Sequence, residues 1–372
     1  MDIIQIDTDD RRRVRQFIEL PFRIYHNTPQ WVPPLASDMQ LILDRRRYPF
    51  YRHSEADFFL AVDGGRAVGR IVAIDNRNFN AFHHENTGFF YLFECEDSLE
   101  ASGALFEAAC AWARARGLTR IVGPKGFTAL DGMGLLVKGF DLRPAIGIPY
   151  NPPYYQALIE AAGFERLDDD VSGQLDVSAP FPEHIHRLSE IVQRRRGLRI
   201  LRLKNKRELR AIIPQVGEMY NRSVGANFDQ VPLTADEIKA MADQLLPIAD
   251  PSLIMVVMKG DDPVGFLLAY PDISAALQRC KGRLFPFGWL DILIESKRTK
   301  WINVNGGGVV ERYRGLGGTA VLFSELQKAA VAGGYKHAEG VQISVSNDKM
   351  QREMRDLGID FNKMHRMYQR AL

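Results

Sequence analysis

Cysteine is scarce in this sequence: Cys95, Cys110 and Cys280 are the only three in 372 residues. They are too few and too scattered for a disulfide framework or a zinc site, and they point to a reducing compartment. An excess of charge of one sign is also missing. Lys and Arg number 48 against 46 Asp and Glu, a net charge of +2. That near-balance gives no support for nucleic acid or an anionic membrane as the main partner. No apolar run reaches membrane-spanning length, and the acidic N-terminus lacks the apolar segment of a secretory signal. The expectation is a cytoplasmic protein with no membrane span. There is no Gly-Lys-Ser/Thr, which excludes a P-loop ATPase. No Gly-x-Gly-x-x-Gly opens a strand-helix-strand repeat, which argues against a dinucleotide fold. His83-His84, His184 and His186 lack a partner constellation, so no metal is expected.

What is present is an ordinary folded composition, 46% hydrophobic and 25% charged, in a chain long enough for two domains. Arg11-Arg12-Arg13, Arg45-Arg46-Arg47 and Arg194-Arg195-Arg196 are local basic runs that read first as solvated faces, with a substrate-recruiting or lipid-facing role as the lesser alternative. The first half begins with a helix capped near Thr8 that buries Val14, Phe17 and Ile18. A hairpin follows, Phe58 to Val62 and Ala67 to Ile74, turning at Asp63-Gly64-Gly65. Next come a buried strand at Phe89–Phe93, a helix stopping at Gly117, a strand at Arg120–Val122 and a helix from Tyr154 ended by Gly163. A Gly-, Pro- and aromatic-rich segment, Gly123 to Tyr155, reads either as the lining of a substrate cleft or as an ordered loop.

The second half repeats this plan. Arg199–Leu203 is a strand, and helices open at Asn205 and Thr234, each with Glu three residues on, the spacing of a capping box. A hairpin follows, Leu253 to Met258 and Val264 to Tyr270. Pro34-Leu35 answers Pro232-Leu233, Val68-Gly69 answers Val264-Gly265, and Gly163-Phe164 answers Gly358-Ile359. A near-constant offset of this kind indicates duplication of one domain rather than a solenoid. The second copy carries an insertion at about 271–300. The domain limits expected are 1–178, a linker helix at 179–197, and 198–372.

Chemistry concentrates at Val309-Val310-Glu311-Arg312-Tyr313-Arg314-Gly315-Leu316-Gly317-Gly318-Thr319. Two β-branched residues enter a glycine-rich turn bearing two arginines, and the turn opens into a helix with Leu322, Leu326, Ala329 and Ala330 on one side. Uncapped N–H groups at a helix N-terminus, approachable because glycine has no side chain, attract a phosphate or pyrophosphate. By itself the loop reads equally well as a tight connection. In the first copy the matching position is Glu94-Cys95-Glu96-Asp97-Ser98, whose acidity would repel a pyrophosphate.

These residues resemble the GNAT superfamily of acyl-CoA-dependent N-acyltransferases. Arg314-Gly315-Leu316-Gly317-Gly318-Thr319 lines up with that family's Arg/Gln-x-x-Gly-x-Gly/Ala, departing at Thr319. A shifted register, Arg312-x-x-Gly315-x-Gly317, also matches but sits less well against the following helix. The strand Glu339–Ser344 and Asn347, opening a helix that ends Leu357-Gly358, follow in the family's order. The resemblance implies an α/β fold with mixed sheets: two GNAT-like lobes in tandem, the first degenerate. It implies acetyl-CoA or another acyl-CoA as co-substrate, held by Val309, Val310, Arg314, Gly315, Leu316, Gly317, Gly318, Thr319 and Asn347. It further implies direct attack by an amine of a small-molecule or other amine-bearing acceptor, the carbonyl polarised by an N–H around Val309 and Val310. Gly306-Gly307-Gly308 either leave room for the thioester or make a bulge.

The family's usual acid, a Tyr, is replaced here by Met354. Tyr368 and His365 on the final strand stand as the catalytic candidates. Asp291 and Glu295 read either as recognising a cationic amine or as a solvated face. The resemblance, through tandem members that use their C-terminal carboxylate, offers that of Leu372 as a base. Two other readings stay open: a non-catalytic CoA-binding or regulatory protein, and a transferase using acyl carrier protein as donor. Acceptor identity and oligomeric state are not legible.

Overall fold

Asp63-Gly64-Gly65 makes the hairpin expected of it, because Gly64 and Gly65 supply positive φ angles of 54° and 83° at the turn. The computed structural model describes residues 1–128, 131–223, 230–314 and 317–372. In chain order the first half comprises β1 (Asp2–Gln5), α1 (Arg11–Ile24), α2 (Ala36–Leu43), β2 (Glu55–Asp63) and β3 (Arg66–Asp75). Then come α3 (Arg77–His83), β4 (Thr87–Cys95), α4 (Leu99–Arg114), β5 (Arg120–Gly123), β6 (Leu135–Lys138), α5 (Tyr155–Ala161) and β7 (Glu165–Asp176). The second half continues with α6 (Glu183–Arg196), β8 (Leu198–Leu201), α7 (Lys206–Ser223), α8 (Ala235–Leu245), β9 (Met255–Lys259) and β10 (Asp262–Pro271). It ends with α9 (Ser274–Cys280), α10 (Gly288–Arg298), β11 (Trp301–Val309), α11 (Gly318–Ala332), β12 (His337–Ser344), α12 (Asp348–Asp356) and β13 (Asp360–Ala371).

The chain divides into two units. The first is Met1–Val171 with Ser274–Trp289 and Lys363–Leu372; the second is Ser172–Ile273 with Leu290–Asn362. In the first unit the strand order is β1-β2-β3-β4-β5-β13, with β6 beside β13. Its core is the apolar face of α4, where Leu105, Phe106, Ala109 and Trp112 meet Phe59, Ile71 and Phe90. In the second unit the order is β7-β12-β11-β10-β9-β8. Val321, Leu322, Leu326 and Ala330 of α11 pack there against Val257, Leu267, Ile302 and Val304. Phe266 alternates with Leu267 and so faces the opposite side, where it meets Tyr220 of α7 edge-on.

The units are drawn differently from the limits 1–178, 179–197 and 198–372, and the first of them ends at Val171 before it resumes at Ser274. The expected linker helix is present as Glu183–Arg196; it lies along α11 in the second unit, with Ser189 and Val192 buried. Residues 274–289 and 363–372 belong to the first unit rather than to the second. For residues 363–372 the physical reason is sheet completion, since β5 would otherwise present an unpaired edge. Instead Tyr368 of β13 pairs with Gly123, and Arg370 with Ile121. The first helix is capped by Asp10, whose carboxylate accepts from the Arg12 and Arg13 amides, rather than near Thr8. Both later caps form as read: Asn205 accepts from Glu208 N–H, and Thr234 with Glu237 makes a complete capping box.

Candidate functional site

Within the second unit, β11 departs from regular pairing toward its end. Among the described residues its parallel register with β12 runs from Trp301 opposite His337 to Val304 opposite Gly340. At the same level a bulge enters its antiparallel pairing with β10, between Val304 opposite Ala269 and Gly307 opposite Leu267. Gly306 takes the bulge conformation with φ 122°, and a side chain there would meet open space. A Cβ on Gly307 would lie 2.8 Å from Leu267 Cδ1 and 3.1 Å from Phe266 O, so a side chain there would push Leu267 aside. The triple glycine thus makes a bulge, and Gly306 is the member beside open space.

The alternation of an antiparallel ladder fixes where the amides of β11 point. Val310 N–H donates to Val264 O at 2.9 Å. Val309 opposite Gly265 is therefore a non-hydrogen-bonded pair, and so is Gly307 opposite Leu267. The N–H groups of Val309 and Gly307 face away from β10, toward the β12 side of the strand. Val310, expected as an alternative donor, has its amide committed to β10.

The glycine loop meets α11 at Gly317. This residue has φ 85°, and a Cβ on it would stand 2.5 Å from Val192 Cγ2 of α6. Only glycine satisfies both conditions. No side chain caps α11, and its first turn contains no acidic residue. The N–H groups of Gly318, Thr319 and Ala320 therefore begin the helix without an internal partner, at the positive end of its dipole. Gly315 and Leu316 lie outside the described residues.

Arg314 braces this loop. Its Nε donates to Val309 O at 3.0 Å and its Nη2 to Ser223 O at 2.9 Å. Arg312 pairs with Asp262 at 3.0 Å and lies over the Tyr313 ring. Asn347 caps α12, its Oδ1 accepting from Met350 N–H at 3.1 Å. Met354 is buried in the core beneath α11.

The two expected catalytic groups belong to the other unit. Tyr368 is buried, its hydroxyl 3.0 Å from Glu160 Oε1, and burial pushes it up to about 12. His365 is buried with Nε2 on Pro149 O at 3.0 Å, and desolvation lowers it to about 4. Leu372 donates its N–H to Thr119 O in the same unit. Neither unit by itself brings these groups together with α11. Asp291 and Glu295 are half-buried on α10.

Sequence reading missed a polar row beside the bulge. Asn303 stands between Tyr270 on β10 and Glu339 on β12, and all three are buried. Asn305 Nδ2 donates to the Tyr270 hydroxyl at 2.7 Å, and burial raises that phenol to about 12. Asn303 also lies near enough to draw the phenol down slightly, yet its Nδ2 and Oδ1 have no partner in hydrogen-bonding geometry. The signal was Asn-Val-Asn inside an otherwise apolar strand. Among the described residues no group of three His, Cys, Asp or Glu side chains converges as for a metal ion.

Comparison with known proteins places this geometry. No family model matches the chain. A tandem GNAT protein from the clavulanic acid biosynthesis pathway, solved without AcCoA, superposes with a TM-score of 0.58. It is 13% identical, and the match covers 100% of this chain and 98% of that one. The chain has the tandem GNAT fold. In sequence it is 29% identical over 383 residues to the bacterial ceramide synthase of Caulobacter vibrioides (strain NA1000 / CB15N), covering 100% of this chain and 98% of that protein. It is 26% identical to protein YghO of Escherichia coli (strain K12), covering 98% of this chain and 94% of the other.

Against that fold the first GNAT-like lobe is closed where the second is open. At the end of β4, Cys95 N–H donates to the Tyr155 hydroxyl at 2.8 Å, and Cys95 O accepts from Tyr154 at 2.8 Å. Glu94 accepts from the hydroxyls of Tyr25 and Tyr155, both at 2.8 Å, and burial raises its carboxyl. Glu96 is held by Arg23 and Arg66 at 3.0 and 2.7 Å, and Ser98 caps α4. The main-chain groups of Cys95 are thus satisfied by the Tyr154 and Tyr155 hydroxyls at the start of α5, while Arg23 and Tyr25 at the end of α1 hold the neighbouring carboxylates.

Proposed function

We propose that the chain transfers an acyl group from acyl-CoA to the primary amine of a long-chain amino alcohol, forming an amide of the ceramide class. The observation that carries this reading is the uncapped start of α11 beside the glycine bulge of β11. The coenzyme's diphosphate lies on the N–H groups of Gly317, Gly318 and Thr319. Arg314 holds the loop in shape, and Asn347 sets the start of α12. Acetyl-CoA fits this cradle as well as longer acyl-CoAs; the whole-length likeness to a protein named bacterial ceramide synthase supports a longer chain.

The thioester carbonyl oxygen accepts from Val309 N–H, with Gly307 N–H beside it. The neutral amine attacks the carbonyl carbon, a C–N bond forms, and negative charge gathers on that oxygen. The C–S bond then breaks, the amine gives up a proton, and the thiolate leaves to take one. One such preorganised donor is worth on the order of 10²–10³ in rate. Asn303, with a donor and an acceptor unpaired in a buried position, holds a hydroxyl of the acceptor.

The test is thiol release from palmitoyl-CoA with a long-chain 2-amino-1,3-diol, read beside mass detection of the amide. Release with the amide mass supports the proposal. Binding of CoA by calorimetry without release with any amine supports instead a regulatory CoA-binding protein, which the buried Met354 favours. Turnover only with acylated carrier protein would replace the donor.

A further inference from the structure

Helix α10 is turned inside out. Its inward side carries half-buried Asp291 and Glu295 around buried Ile292, whereas Leu290, Leu293 and Ile294 face solvent. An ordinary surface helix does the reverse. The turn leading into it adds Phe285, 82% exposed, and Phe287, 73% exposed. Trp289, Leu290, Leu293 and Ile294 follow at between 39% and 46%. Scattered exposed apolar residues need no explanation, but six within ten positions of one continuous stretch form a surface that water does not suit.

The charges around the stretch select what covers it. Lys297 and Arg298 in the last turn of α10 and Lys300 just beyond it are exposed, while Asp291 and Glu295 are half-buried. The outward side is thus apolar with a cationic end. A second copy docking through the same patch would set these cations against themselves across a two-fold axis. An anionic lipid surface satisfies both features: aromatic rings enter the headgroup boundary and Lys and Arg meet lipid phosphates. At 11 residues α10 is too short to span a bilayer, and no helix among the described residues is long and apolar enough to do so.

We propose that the turn Phe285–Phe287 and helix α10 dock the protein onto the surface of an anionic lipid bilayer. The proposal goes beyond the transfer reaction and does not depend on which acceptor is acylated.

The full chain is sedimented with phosphatidylcholine vesicles containing or lacking phosphatidylglycerol, with no acyl-CoA or amine present. The expected result is co-sedimentation with the phosphatidylglycerol vesicles. Phe285→Ser combined with Phe287→Ser lowers partitioning roughly tenfold or more, since insertion scales with buried apolar area. Lys297→Glu combined with Arg298→Glu lowers it by a similar factor on anionic vesicles only. All four side chains are exposed, so an unchanged thermal midpoint shows that the variants fold. Absence of sedimentation, or sedimentation that both double variants leave unchanged, overturns the proposal. So does a Phe285→Ser, Phe287→Ser variant that turns a dimer into a monomer in size-exclusion light scattering without affecting vesicle binding. A vesicle-binding protein that releases no thiol would leave this inference standing and remove the one above.

Discussion

The Val310 N–H points at the Val264 carbonyl, 2.9 Å away, and this bond decides which neighbouring amides remain available. Val309 must then aim its N–H away from β10. Proline lacks that donor, so Val309→Pro and Val310→Pro should fail in different ways. Val309→Pro is expected to lower kcat by on the order of 10²–10³ with a smaller change in stability. Val310→Pro removes a ladder bond and should cost about 1–3 kcal/mol in a urea titration. Equal losses of kcat from both, with equal destabilisation, would assign Val309 no role beyond the fold.

Gly317 makes a sharper claim about the start of α11. Alanine there must adopt φ 85° and displace Val192 Cγ2 from 2.5 Å. Gly317→Ala should destabilise the protein by about 1–3 kcal/mol and weaken CoA binding in calorimetry. Adding Val192→Ala removes the clash but not the backbone strain, so rescue should be partial. Full rescue would mean that packing alone, not conformation, requires the glycine.

Asn303 separates folding from function. Its unpaired amide is a burden on stability, so Asn303→Leu is expected to leave the urea midpoint unchanged or raise it. The same change should raise the KM for a hydroxylated acceptor by roughly tenfold, while the KM for acyl-CoA holds. A large drop in stability with unaltered acceptor KM would show the amide to be paired and structural.

Tyr155 tests the closed state of the first lobe. Its hydroxyl accepts from Cys95 N–H and donates to Glu94, so Tyr155→Phe leaves a buried amide and a buried carboxyl short of partners. The expected cost is about 1–3 kcal/mol, with CoA affinity unchanged. Loss of CoA affinity would place coenzyme binding in the first lobe instead.

His365 predicts a pH dependence with a definite sign. Its folded pKa is lowered to about 4 by desolvation, from an ordinary value of 6.5, so the unfolded chain binds the extra proton between those limits. Stability should therefore be fully present above pH 6.5 and fall as the pH drops toward 4. The contribution is about 3 kcal/mol at most. His365→Gln should flatten that part of the profile in chemical denaturation across pH. An unaltered profile would assign the acid sensitivity to the buried carboxyls.

Much of the architecture was legible because it depends on local rules. Hairpin turns with positive-φ glycines, the Thr234–Glu237 capping box and the amphipathic period of α11 all follow from neighbours a few residues away. The duplicated plan and the contrast between an acidic turn in one copy and a glycine turn in the other were likewise readable, since charge and glycine content need no partner to be seen. Tertiary structure alone decided the rest. Which copy supplies the last strand of each sheet depends on edges far apart in sequence, and that is why Tyr368 and His365 belong to the first unit although they end the second copy. Whether Val309 or Val310 offers its amide depends on the register against β10. Whether Asn303 is satisfied depends on what stands beside it on β10 and β12. A sequence carries residue types and local order; pairing register and burial are properties of contacts between distant segments, and they settle which of those groups are left open to a ligand.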